Sequence, residues 1–147
     1  MKEINRNKRL KTLNNNTLQR VFLFLFLAIG YTLTITAQNQ SIVPELEKAL
    51  NSGKASDISK YFAENVNIAI PGTDGVFTNE QAGVILKEFF RQNKPTQFKL
   101  THKGKSGEGA SYLVGNLSCG SKKFTIYILM RDSTTKPVIK QFQAEAD

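Results

Sequence analysis

Apolar residues recur along the chain with two different periods, and the change of period divides it. Ile42, Val43, Leu46, Ala49 and Leu50 fall on one face at helical spacing, with Ser41 placed as an N-cap, Pro44 in the first turn and Gly53 as the stop. Ala55, Ile58 and Phe62, with Tyr61 beside them, predict a second short helix over residues 55–63. Asn65 to Ile70 then alternates apolar and polar positions as a half-buried strand does, and Pro71-Gly72-Thr73-Asp74-Gly75 turns the chain. A third helix follows: Thr78 and Gln81 are spaced as a capping box, and Ala82, Ile85, Leu86, Phe89 and Phe90 share one broad arc. So wide and aromatic an arc belongs across a sheet, because each Phe left in water forgoes roughly 1.5–3 kcal/mol.

After Lys94-Pro95 the period becomes two. Gln97 to Lys103 places Phe98, Leu100 and His102 on one side and Lys99, Thr101 and Lys103 on the other; Gly104 to Gly109 reads as a turn, Ala110 to Cys119 as a strand, and Gly120 to Lys122 as a second turn. Phe124, Ile126, Ile128 and Met130 line one face of the next strand, with Tyr127 and Leu129 on the other. Asp132 to Lys136 is a loop before a last strand, Val138 to Ala144. Strands joined by such short turns are antiparallel, which predicts an α+β protein with its N-terminal helices packed on an antiparallel sheet.

Composition narrows the reading. The chain has 147 residues, a length for one domain, with ten Phe to bury and a formal charge of +8. Much of that charge is N-terminal: Lys2, Arg6, Lys8, Arg9, Lys11 and Arg20 stand against Glu3 and lead into the apolar run Val21 to Ile35, closed by Thr36-Ala37. This is the pattern of an export signal, and the run is short for a membrane span. The domain expectation is therefore a signal peptide over 1–37 and a single domain over 38–147, exported to the periplasm or beyond after cleavage near Ala37, with the membrane met only through that signal. Removing the leader takes six basic residues and one acidic one and leaves +3. Nucleic acid thereby loses its electrostatic motive as a partner. The single Cys119 suits export if it is buried.

Candidate chemistry is sparse. His102 is the only His, so no His cluster can hold a metal, and no cofactor motif is present. Gly104-Lys105-Ser106 imitates the end of a phosphate loop, but Lys99 stands where the first glycine is needed. His102 could be a structural His or a polar group in a pocket, and Tyr112 and Tyr127 are packing residues that could also turn hydroxyls into the same space.

The runs Gly53-Lys-Ala-Ser-Asp-Ile-Ser-Lys-Tyr-Phe62, Ile70-Pro-Gly72, Gly75-Val-Phe77, Ile85-Leu-Lys-Glu-Phe-Phe90, His102-Lys-Gly104, Gly109-Ala-Ser-Tyr112 and Gly115-Asn-Leu117 resemble a family of short exported bacterial proteins of unassigned function. Its domain is similar to the nuclear transport factor two-like, SnoaL-like, cystatin-like folds. The resemblance implies a cone in which a curved antiparallel sheet wraps the helices and can leave a pocket at its wide end. It carries no activity over. Isomerases of that fold need a pocket carboxylate, whereas nearly all the acidic residues here read as helix-surface, turn or tail positions.

The favoured expectation is a non-enzymatic binding module for a small apolar or amphipathic ligand, with His102, Tyr112, Tyr127, Phe89 and Phe98 lining its pocket. The alternative is a filled cone whose outer sheet face dimerises or binds an envelope protein. A cryptic isomerase-like or hydrolase-like enzyme comes third. Polar Lys99, Thr101, Thr125 and Gln141 on the outer face would favour water there, and a contiguous Tyr127, Leu129 and Ile139 patch would favour a partner.

Overall fold

The computed structural model describes residues 41–107, 109–133 and 136–147, so the expected signal peptide lies outside the described residues. In chain order the elements are α1 (Val43–Ser52), α2 (Ala55–Ser59), β1 (Phe62–Ile70), β2 (Thr73–Thr78), α3 (Asn79–Gln92), β3 (Gln97–Ser106), β4 (Ala110–Cys119), β5 (Lys122–Arg131) and β6 (Val138–Ala146). None of the described helices is long and apolar enough to cross a membrane.

Helix α1 has Pro44 at its start and ends on Gly53, whose φ of 65° is the left-handed cap that costs glycine nothing. The Ser41 hydroxyl accepts from the Val43 amide at 3.4 Å, although the N-cap position itself is Ile42. Helix α2 is shorter than its apolar spacing predicts. Phe62 and Ala63 leave the helical path because they are buried in β1, where Phe62 pairs with Ile139 of β6. Helix α3 carries the full capping box: the Thr78 hydroxyl accepts from the Gln81 amide at 3.3 Å, and the Gln81 side chain accepts from the Thr78 amide at 3.1 Å. Thr78→Ala should cost about 1 kcal/mol, seen as a lower urea midpoint at unchanged m-value.

The sheet has six strands in the order β2-β1-β6-β5-β4-β3, and it is curved and unclosed. The last four strands form the expected antiparallel meander. Two features differ from the sequence reading. Thr73–Thr78 is a strand, because Asn65–Ile70 offers it a ladder and Pro71-Gly72 alone makes the turn; Asp74 and Gly75 had disguised it. The β1–β2 hairpin then joins the meander through a parallel β1–β6 pairing, so the sheet is mixed and not wholly antiparallel.

Bulges help set the curvature and decide which side chains face inward. In β3, Leu100 pairs with Gly115 and His102 with Val114, so Thr101 is the extra residue, and its hydroxyl donates to the Val114 carbonyl at 3.0 Å. In β6 the slip falls at Lys140, between Ile139, paired with Met130, and Gln141, paired with Leu129. Ile139 consequently sits wholly in the core.

All three helices lay their apolar residues on the concave face. Leu46, Leu50, Ile58, Leu86, Ile128 and Phe142 are fully buried together there, and no charged or polar residue is buried among the described residues. Phe89 and Phe90 are both 5% exposed, and Phe89 meets Phe124 edge-on at 5.2 Å. The centre of the cone is filled by the chain's own side chains.

Candidate functional site

Where the second half of α3 passes the β1–β2 and β4–β5 turns, the apolar layer stays open to solvent. The opening is a cleft of about 810 Å³. Its apolar wall is Ile70, Pro71, Val84, Ile85, Phe89 and Phe124, and its rim carries Glu88, Gln92, Asn93, Lys122, Lys123 and Asp147. The helical arc that buries Leu86 and Phe90 against the sheet turns Ile85 and Phe89 toward this gap, while Val84 on its flank remains 68% exposed.

The rim charges are not equivalent. The Arg91 guanidinium donates to both oxygens of Glu88 at 2.7 and 2.6 Å, and Gln92 donates to one of them at 2.8 Å. These bonds, Arg91 first, hold the Glu88 carboxyl down from 4.5 to about 2. A depressed carboxyl adds its full share to folding above its ordinary value, and that contribution is lost as pH falls from 4.5 through about 2. Carbon-detected NMR should show Glu88 titrating near 2, and Arg91→Ala should return it toward 4.5. Both groups are exposed, so salt screens the pair and its part in stability is small.

Asp147 accepts from the Thr125 hydroxyl at 2.9 Å. The Lys122 ammonium donates to the Asn93 side-chain oxygen at 3.2 Å, and the Asn93 amide nitrogen donates in turn to the Phe89 carbonyl at 3.1 Å. That carbonyl belongs to the last turn of α3, so the chain of bonds ties the rim to the helix end.

Of the residues expected to line a pocket, Phe89 alone lines this cleft. Phe98 is buried in the core, its ring against Gly115 and its amide donating to the Asn51 side chain at 2.8 Å. His102 was expected to share a side with Phe98 and Leu100; the Thr101 bulge reverses it, and pairing with Val114 leaves it exposed on the outer face. Tyr112 and Tyr127 are half-buried on that same outer face, stacked at 6.3 Å with planes 22° apart. Tyr112 also borders a second cleft of about 390 Å³, with Ile42, Lys103, Lys105 and Met130, at the other end of β5. The five residues are therefore not brought together. Sequence reasoning missed Val84, Asn93 and Lys122, whose only signal was their position beside the apolar arc and at a turn.

Cys119 is buried at 8% exposure, and that burial pushes its thiol up, against the opposing charge of Lys122. Glu64, Asp74 and Glu145 lie within strands, contrary to the reading of acids as helix, turn and tail residues, but all three are exposed. Among the described residues no three His, Cys, Asp or Glu side chains cluster as metal ligands.

Three helices on the concave face of a curved, six-stranded sheet, with an uncovered gap at one end, define an NTF2-like α+β domain. The chain belongs to the family described as Domain of unknown function (DUF4783), whose model matches residues 43–145. Among solved structures it is similar to a DUF4783 family protein from Bacteroides uniformis, at 20% identity and a TM-score of 0.68 over 73% of this chain and 98% of that one. A DUF4783 family protein from Bacteroides ovatus matches at 23% identity and TM-score 0.66 over 70% and 93%. An NTF2-like protein of unknown function from Cytophaga hutchinsonii matches at 14% identity and TM-score 0.52 over 78% and 95%. No curated protein matches the chain.

Proposed function

We propose that the protein is an exported, non-enzymatic module that binds a small amphipathic molecule, and that the cleft beside α3 is its site rather than the cone interior. The observation that carries this reading is a gap of about 810 Å³ along the flank of α3, where Val84 is exposed and Ile70 and Ile85 are half-buried above the core residues Phe89 and Phe124. That volume lies within the range of small-molecule sites, about 300–1,000 Å³. Catalysis finds little support. The acid at the rim, Glu88, is held ionised by Arg91 and is a weak base, and His102 lies on the far face of the sheet. Export rests on the basic leader and apolar run that precede the domain.

Native mass spectrometry of the protein released from its own envelope tests the reading directly. The expected result is a chain beginning after Ala37 that carries a small adduct. Val84→Glu, an exposed change on a helix, should abolish the adduct without unfolding the protein. A bare chain from gentle release overturns ligand binding, and a mass that includes the leader overturns cleavage.

The filled interior favours a second reading, a protein-interaction domain using the outer sheet face. Tyr112, Val114, Tyr127 and Leu129 are half-buried neighbours there, but Gln141 and Gln143 follow on β6, and the Lys140 slip has taken Ile139 out of the patch. A dimer in sedimentation equilibrium that is lost in Tyr127→Lys would favour this reading.

A further inference from the structure

Resting on the proposed cleft, we infer that its ligand is a monoanionic amphiphile, a medium-chain carboxylate in chemical class, with Lys122 as the headgroup contact. The two halves of the argument come from opposite walls. The apolar wall, exposed at Val84 and Pro71 and half-buried at Ile70 and Ile85 over the buried Phe89 and Phe124, suits an alkyl or aryl body. At the mouth the Lys122 ammonium is fixed by one bond to Asn93, leaving two N–H groups to donate. Asn93 is a positioning residue: its nitrogen is committed to the Phe89 carbonyl, which turns its oxygen toward Lys122.

The acids around the mouth leave one positive charge over, because Arg91 offsets Glu88 and Asp147 offsets only one of Lys122 and Lys123. Glu88 is occupied by Arg91 and Gln92, and Asp147 by Thr125. Among the described residues neither Lys122 nor Lys123 forms an ion pair. A carboxylate entering with its tail along Val84, Ile85 and Ile70 would give Lys122 the charge-assisted bond it lacks. A monoanionic head matches the single positive charge that Lys122 and Lys123 leave over Asp147, and a dianionic one exceeds it.

Calorimetric titration of the envelope-purified, delipidated protein with decanoate, decanol and decyl phosphate at neutral pH tests this. Decanoate should bind about tenfold more tightly than decanol, the size of one charge-assisted hydrogen bond. Lys122→Gln should bring decanoate affinity down to that of decanol, and Lys123→Gln should retain most of the ratio. Equal affinity for decanoate and decanol in the wild type overturns the headgroup assignment and leaves the cleft reading standing. Tighter binding of decyl phosphate overturns the carboxylate class. If Lys122→Gln lowers stability yet keeps the ratio, the lysine merely caps the end of α3 and the assignment fails. Binding of none of the three removes the cleft reading as well.

Discussion

Phe142→Ala is expected to be the most damaging single truncation in the domain, at about 4 kcal/mol. Phe142 has no exposed surface. It sits on β6 with Ile68 of β1 on one side and Ile128 of β5 on the other, at the joint where the parallel pairing ties the N-terminal hairpin to the meander. Removing the ring opens a cavity that neighbours from three strands would have to fill, and a sheet cannot draw its strands closer than their hydrogen bonds allow. A domain with total stability of about 5–15 kcal/mol would lose a large fraction of it. The thermal midpoint should fall by roughly 15–25 °C. Phe142→Leu keeps most of the volume and should cost less than half as much, and an equal loss in the two variants would show that the joint is not where the energy lies.

Gly115→Ala comes second, at about 3 kcal/mol, the upper end of the usual cost of overpacking. A Cβ there would run into the Phe98 ring and lie 2.7 Å from the Lys99 carbonyl, so a buried side chain and the neighbouring backbone would both have to move. Gly104→Ala is the matched control. Its Cβ would come within 2.8 Å of Tyr112, but only at the hydroxyl end of a half-buried ring on the outer face, which can swing aside. The expected cost is below about 1 kcal/mol. Chemical denaturation of the pair should separate them clearly, and combining Gly115→Ala with Phe98→Leu should recover part of the loss. Equal midpoints for the two glycine variants would refute the close approach of Phe98.

The helices and the meander were legible because their signals are local. The Thr78–Gln81 box, the Pro44 start and the arc through Phe89 and Phe90 each depend on residues within a turn or two of one another. The register of β3 was not. Strict alternation put His102 beside Phe98, and nothing in Leu100-Thr101-His102 announces that Thr101 will drop out of the count, since the slip is decided by how β3 pairs with Val114 and Gly115 on the next strand. The same is true of β2, which reads as a turn until β1 lies beside it, and of α2, which loses Phe62 to a strand partner far along the chain. The candidate site was the least legible part. Val84, Asn93 and Lys122 come from a helix flank, a helix end and the start of β5, and only the three-dimensional closure of those elements makes them neighbours.

Because the sheet does not close on itself, β2 and β3 are its two margins, and among the described residues no further strand pairs with either. They are guarded differently. The β3 margin runs ten residues and carries Lys99, Lys103 and Lys105, whose charge discourages a second copy from adding a strand. The β2 margin is guarded more lightly: six residues with one charge, Asp74, and with Val76 standing 70% in water. Self-assembly under stress should therefore begin from the β2 side.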